Sequence, residues 1–311
     1  TDPAGNVGPE SAPYTFTVDL TPPAAPVDVV LSNNDGSTLV AIAANGATND
    51  TTPQLSGSAT AGSIITVYDG DSTTPIGSVT VGADGSWQFV TGTLDEGDHS
   101  LTVTVTDAAG NVSDPSAPIS FTVDTTAPDA VVDLLLVNNN VDPATPIASG
   151  SNTNDSTPLL SGTAEPNSTI IVYDGQTPIG TATAGNDGAW TFSPELTDGS
   201  HSLSVTVTDA AGNVSAPSAS VAITVDTVAP SAVTQLSVAS DNGNGDPVTI
   251  PNGGLTSDNT PVLSGSGDPG SLIVITSQDG PVGSVTVGSS GSWSFTPASA
   301  LSDGSYTLTV V

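Results

Sequence analysis

The sequence predicts an all-β chain of tandem β-sandwich domains, and three observations carry that prediction. Ser100-Leu101-Thr102-Val103-Thr104-Val105-Thr106 alternates apolar and polar residues at period two, as do Ser202 to Thr208 and Thr307 to Val310. Such alternation marks a strand buried on one face. No comparable stretch carries apolar residues at helical spacing, and 33 Gly and 25 Pro punctuate the chain. Finally, one unit returns: Gly85-Ser86-Trp87 recurs as Gly188-Ala189-Trp190 and Gly291-Ser292-Trp293, each 103 residues on. That period exceeds the roughly 20–50 residues of a solenoid repeat and matches one sandwich domain of about 100 residues.

The first full unit divides into seven strands, near 27–32, 53–59, 63–69, 75–81, 86–91, 99–106 and 117–123. A long polar insertion at 33–52 separates the first two. Asp84-Gly85 supplies the residue pair of a tight hairpin turn before the fifth strand. Trp87, Trp190 and Trp293 share one strand position and read as core anchors; stacking on a sugar is the other use of such an aromatic. Leu55-Ser56-Gly57 returns at 160–162 and 263–265, and Thr106-Asp107-Ala108-Ala109-Gly110-Asn111-Val112 returns at 208–214 and, with one change, at 1–7. Val18-Asp19, Val123-Asp124 and Val225-Asp226 each precede a linker containing Thr and Pro. The expected organisation is therefore a tail of a preceding domain at 1–20, then domains at 21–124, 125–226 and 227–311. The third stops before its last strand.

Composition narrows the function classes. The 311 residues include 32 Asp and Glu, no Lys or Arg, no Cys and no Met, for a formal charge of -32. Nothing here neutralises phosphate, so nucleic acid is excluded as a partner. Docking to anionic lipid is disfavoured for the same reason. Without Cys there are no disulfides and no thiolate metal sites. No apolar run approaches the roughly 20 residues that span a bilayer, and the lack of Met suggests a piece of a longer protein. Leu, Ile, Val and Phe make up about 23% of the chain. This lies just above the roughly 20% below which a highly charged chain is disordered. The alternating pattern, rather than the composition, argues for order.

Strand parity then places the acids. If successive strands alternate direction, Asp107 precedes the last strand and Asp124 ends it. Residues 117–124 span roughly 26 Å at about 3.3 Å each, so the two lie at opposite poles. Asp124 instead faces the loop of the next domain that carries Asp209 and Asn213, and Asp19 faces Asp107 and Asn111. The 33–52 insertion should return at the C-terminal pole, bringing Asp50 near Asp124, with Asp155 and Asp258 as its counterparts. An extra strand at Leu39 to Ala43 would flip that count. Glu165 and Asp268, between the second and third strands, belong to the N-terminal poles of their domains, as Asp226 belongs to the C-terminal pole of the second. Each junction gathers oxygen donors with no cationic side chain to balance them. That chemistry suits Ca²⁺, which takes 6–8 oxygens including carbonyls, better than Mg²⁺ with its stricter octahedron. Asp and Asn are also ordinary turn formers; their recurrence on both sides of each linker favours the cation. Asp241-Asn242-Gly243-Asn244-Gly245-Asp246 has the look of an EF-hand loop, but its Gly residues remove two ligands.

At these signatures the sequence resembles the tandem bacterial Ig-like domains of giant, type I-secreted, non-fimbrial adhesins, most like the SiiE type. The likeness covers essentially the whole chain. It implies an Ig-like fold, Ca²⁺ at the domain junctions stiffening a long rod, a secreted or cell-surface location, and a role in attachment to host cells. Carried over residue by residue, the metal positions are Asp107, Asn111, Asp124, Asp209, Asn213 and Asp226, with Asp19 at the first junction. The third domain departs from the pattern, with Ser277 where the others have Asp69 and Asp174.

The leading expectation is a monomeric, non-catalytic spacer whose partners are neighbouring Ig-like repeats and, through the full-length protein, the host cell. A second reading is a module that binds a glycan or host protein through the 33–52, 138–154 and 240–258 insertions. An enzyme has little support. His99 and His201 share one repeated position, and Tyr306 replaces them in the third domain, which suits packing or turn capping better than general-base work.

Overall fold

A computed structural model describes residues 1–34, 36, 38–70, 72–240 and 247–311. The EF-hand-like stretch 241–246 lies outside the described residues. The chain resolves into two compact units, residues 1–226 and 227–311.

The first unit holds two sandwiches. In the first, β1 (Val30–Asn33), β2 (Val40–Ala41), β4 (Gln54–Ser58) and β7 (Ser86–Val90) form one sheet in the order β2-β1-β4-β7. The facing sheet runs β3-β9-β8-β5-β6, with β3 (Gly46–Thr48), β5 (Ile64–Asp69), β6 (Gly77–Thr80), β8 (Gly97–Thr106) and β9 (Ile119–Val123). Seven of these nine strands lie within or close to the expected ranges. The other two, β2 and β3, come from the polar insertion. β2 pairs with β1, while β3 crosses to the other sheet and runs parallel to β9, with Thr48 opposite Val123. The insertion therefore does return at the C-terminal pole, beside the end of β9.

The alternation of β8 has the expected consequence: Leu101, Val103 and Val105 point inward and are buried, joined in the core by Leu55, Ile65, Val67 and Phe121. Trp87 is 3% exposed and sits over Gly57, its cross-strand partner, where an added Cβ would lie 2.9 Å from the ring. Phe89 fills the space above Gly77 in the same manner, at 2.6 Å. Large aromatics thus seat against glycine backbone, and Trp190 on Gly162 and Trp293 on Gly265 repeat the device. The tryptophans are core anchors, and the sugar-stacking reading falls with their burial.

The second sandwich copies the first. One sheet is ordered β11-β10-β13-β16, from β10 (Leu135–Asn138), β11 (Thr145–Pro146), β13 (Leu159–Thr163) and β16 (Ala189–Phe192). The other is β12-β18-β17-β14-β15, from β12 (Ser151–Thr153), β14 (Thr169–Asp174), β15 (Thr177–Thr183), β17 (Gly199–Thr208) and β18 (Val221–Val225). In the second unit, β19 (Thr234–Ser240), β20 (Val248–Thr249), β21 (Val262–Ser266) and β24 (Ser292–Phe295) form a sheet ordered β20-β19-β21-β24. It faces β23-β22-β25, built from β22 (Leu272–Ser277), β23 (Gly280–Thr286) and β25 (Thr309–Val310).

Candidate metal centre

The site begins with one five-residue loop. After β8, Asp107 turns its side chain back on the chain: Oδ1 accepts from the amides of Ala109 and Asn111 at 2.8 and 2.9 Å. Oδ2 accepts from Asn111 Nδ2 at 2.9 Å. Gly110 closes the turn at φ 94°, a backbone region that glycine adopts without steric cost. Asp209 and Asn213 repeat the arrangement after β17, with Oδ2 receiving Nδ2 at 2.8 Å. Asp2 and Asn6 form it a third time. The Asn111 side chain, followed by main-chain amides, holds the Asp107 carboxyl below its usual range, so this acid is anionic at neutral pH.

Each Asn amide then reaches outward. Asn111 Nδ2 donates to the main-chain oxygen of Asp19 at 3.1 Å, and Asn213 Nδ2 to that of Asp124 at 2.8 Å. The pairings expected from strand parity, Asp19 with Asp107 and Asn111 and Asp124 with Asp209 and Asn213, are thus brought together. Asp107 and Asp124 lie at opposite ends of the β8–β9 pair, as expected, because Gly97 stands opposite Val123. The second junction has a further contact: Asn49 N donates to Ala211 O at 3.1 Å, and Ala211 is buried.

Register also delivers Glu96, which sequence reasoning missed. With Val123 opposite Gly97, the linker leaves β9 beside Glu96. Its carboxylate accepts from Thr125 N at 3.1 Å, Thr125 Oγ1 at 2.6 Å and Thr126 Oγ1 at 3.2 Å. Hydrogen bonds from Thr125, side chain first, hold the Glu96 carboxyl below its ordinary value, and the Asp124 carboxyl adjoins it. Asp124 Oδ1 in turn caps Thr126 N at 2.9 Å, as Asp19 Oδ1 caps Thr21 N at 3.0 Å. The signal for Glu96 was present in the sequence only as the strand register.

The other expected positions are committed differently. Asp50, 4% exposed, turns inward and accepts from Asn34 N and Thr52 N at 2.8 Å each. Asp155, fully buried, accepts from Asn139 N and Asn140 Nδ2 at 3.0 Å and from Thr157 N at 2.9 Å. Asp258 accepts from Thr260 N at 2.9 Å. Asp50 and Asp155 staple their insertion to the start of the next strand, although Thr48 O, two residues before Asp50, does bond Asp124 N at 2.9 Å. Asp226 N makes the same bond to Thr153 O at 2.9 Å. Glu165 lines a shallow depression with Asp129 and Asp133 at the start of the second domain. Asp268 Oδ2 accepts from Ser231 N at 2.7 Å within the second unit.

Among the described residues no three His, Asp or Glu side chains converge as a ready-made metal cage. The donors that do converge at each linker are mixed: a main-chain carbonyl, a carboxylate and a side-chain amide. Here the amide Nδ2 bridges the carbonyl and the carboxylate, and the set would suit a hard cation with the Asn turned to present Oδ1; Lys and Arg, the usual competitors for such acids, are absent from the chain.

Paired sheets sandwiching one aromatic-anchored core, repeated along the chain, define tandem immunoglobulin-like domains. The chain belongs to the bacterial Ig-like domain family, whose model matches residues 24–125, 140–227 and 229–311. Among solved structures it is similar to the fibronectin(III)-like modules of Clostridium thermocellum CbhA. There the identity is 18% over 64% of this chain and 94% of that one, with a TM-score of 0.39. It is also similar to the BSP domain of a biofilm-associated protein, at 20% identity over 60% of this chain and 30% of that one, TM-score 0.22. Extracellular domains 3–5 of Drosophila OTK match at 13% identity over 94% of this chain and 95% of that one, TM-score 0.23. No curated protein matches.

Proposed function

We propose that this chain is a repetitive, non-catalytic segment of a giant bacterial surface adhesin of the SiiE type, a spacer stiffened by Ca²⁺ at its junctions. On this reading the protein is secreted and stands on the cell surface, and attachment to host cells is made by the full-length protein. Family membership and the paired Asp-Ala-Ala-Gly-Asn and Val-Asp signatures support the reading. One observation carries it: the same loop donates twice, through its Asn amide, to the carbonyl of the Val-Asp pair that opens the linker, at Asp19 and at Asp124.

Bound Ca²⁺ would supply positive charge between acids that otherwise repel, and the ligands are drawn from both sides of the linker. At the second junction Asp209, Asn213 and the Asp124 carbonyl hold it, with Glu96 adding a carboxylate beside Asp124. At the first, Asp107, Asn111 and the Asp19 carbonyl do the same. Asp50 and Asp155 act in building the pole rather than in ligation, because both are buried and turned onto amides within their own domain. Small interdomain contacts alone leave relative motion as the default. Small-angle scattering of the whole chain tests this: chelation should shorten the end-to-end distance while the β-sheet circular dichroism stays constant. A scattering profile that is the same in chelator and in calcium refutes junctional Ca²⁺.

A further inference from the structure

His99 and His201 are the only side chains in the sequence able to carry positive charge, and both are built into the same contact. His99 Nδ1 lies 2.6 Å from Asp69 Oδ2, and Nε2 lies 2.8 Å from the main-chain oxygen of Asp95. His201 repeats this with Asp174 Oδ2 and the Thr197 oxygen, both at 2.7 Å. A carboxylate and a carbonyl only accept. A neutral imidazole has one N–H and one lone pair, so it satisfies one of these contacts and opposes the other. The imidazolium donates to both. The carboxylates are themselves oriented, because Asp69 Oδ1 accepts Ser100 N at 3.1 Å and Asp174 Oδ1 accepts Ser202 N at 2.8 Å.

The third domain makes two of these three connections without charge and, among the described residues, has no counterpart of the ring-to-carboxylate bond. Tyr306 Oη donates to the Ser302 carbonyl at 3.1 Å, and Gln278 Oε1 accepts Thr307 N at 2.9 Å. The clamp is therefore a shared structural device, and only two copies depend on a proton.

What the clamp holds is the loop end at Asp95 and Glu96, just before β8. Its Glu96 takes four hydrogen bonds from Thr125 and Thr126 of the linker. The groups around His99 favour its charge: Asp69 from β5, Asp95 from the loop, and Asp98 on its own strand, which Thr122 Oγ1 holds at 2.7 Å. β9, whose Phe121 ring stacks on His99 at 5.5 Å, and β3 carry no acid or base. Around His201 the acids are Asp174 from β14 and Asp198 in the loop, while β18 and β12 carry none.

We propose that His99 and His201 are imidazolium clamps, and that in the first domain the clamp sets how firmly Glu96 holds the linker, so that rising pH loosens the junction at Thr125 and Thr126. Burial of the His99 ring opposes its charge, but the Asp95 carbonyl and the Asp69 carboxylate outweigh it and raise the pKa above the ordinary histidine value of 6.5. The His201 pKa is raised in the same way, with burial again opposing and Asp174 and the Thr197 carbonyl prevailing. The clamp is thus complete below about pH 6.5 and is lost as pH climbs through the raised value. The clamp itself needs no Ca²⁺, and because Glu96 also adjoins the proposed cation the test runs in chelator throughout.

The experiment is an NMR titration of the full chain between about pH 5.5 and 8.5, following both imidazole rings and the Thr125 amide. Both rings should titrate above the free-histidine value of about 6.5. Thr125 should shift in step with His99. In the D69S/H99Y variant, which imports the residues of the third domain, the Thr125 transition should vanish while the His201 ring titrates as before. Rings that titrate at or below the free value overturn the clamp, a reading that needs no variant. A Thr125 amide that ignores the His99 transition, or that keeps it in the variant, overturns the link to the linker.

Discussion

Replacing Asp155 by Ala separates an acid that builds a domain from one that binds a cation. Asp155 is fully buried and its two oxygens accept from two main-chain amides, one amide side chain and, at 3.4 Å, one hydroxyl. Truncation removes every acceptor at once. The Asn140 and Thr157 side chains can turn toward water, whereas the amides of Asn139 and Thr157 are fixed by the backbone. Asn139 and Thr157 are themselves exposed, so the loss is that of the hydrogen bonds and not of buried orphan donors; bonds to a charged acceptor contribute about 1.5–3 kcal/mol each. The two amides alone therefore put the loss at about 3–6 kcal/mol. For a domain near 100 residues, each kcal/mol moves Tm by about 4–8 °C, so the second domain should melt at least about 12 °C lower. Native-state hydrogen exchange resolves the domains, with protection at Val172 and Val205 of the second core as the readout and Val67 and Val103 of the first as the internal control. The fall should be the same with and without calcium, because Asp155 acts within its own domain. An Asp155→Ala protein that keeps its exchange protection, or that loses it only when calcium is present, refutes the reasoning.

Further expectations follow from the same geometry. Asp258→Ala should cost the third domain less than Asp155→Ala costs the second, since Asp258 is half-buried where Asp155 is fully buried; a urea midpoint shift as large as that of Asp155→Ala counts against it. Gly57→Ala places a methyl 2.9 Å from the Trp87 ring, and overpacking of this kind costs about 1–3 kcal/mol, read as a lower urea midpoint for the first domain. Gly77→Ala meets the Phe89 ring at 2.6 Å and should cost at least as much. Because the histidine pKa values are raised, the first and second domains should lose stability as pH rises past about 6.5, while the third, with Tyr306, should not. The double change S277D/Y306H should confer that pH dependence on the third domain, measured as a difference in its exchange protection between about pH 6 and 8.

Most of the architecture was legible because it is written in short-range pattern. Alternation at Leu101, Val103 and Val105 and the recurring Trp87 fixed strands and core, and both follow from burying one face of a sheet. Strand parity also placed Asp124 against Asp209 and Asn213, since it needs only the number of strands. β2, at Val40–Ala41, falls in the extra strand considered at Leu39 to Ala43, while β3 was hidden because Gly46–Thr48 is too brief to show a period and its pairing is set by a distant partner; with both present the parity is unchanged. Glu96 was hidden for a related reason: it reaches the linker only through the register of β8 on β9. Asp50 and Asp155 were placed at the correct pole but assigned outward, because sequence gives the position of a residue and not the direction of its carboxylate. The amides that turn them inward belong to a loop 15 or 16 residues away.

The parallel pairing of β3 with β9 also decides how the domain meets a pull. The linker continues directly from β9, so tension applied at Asp124 runs along that strand. β9 is flanked on one side by β3, joined at Gly46–Phe121, Ala47–Thr122 and Thr48–Val123, and on the other by β8. Inter-strand hydrogen bonds lie across the strand direction, so force along β9 shears both ladders together instead of peeling bonds away in turn. The polar insertion, which at first sight only lengthens a loop, thereby adds a second row of bonds to the strand that carries the load.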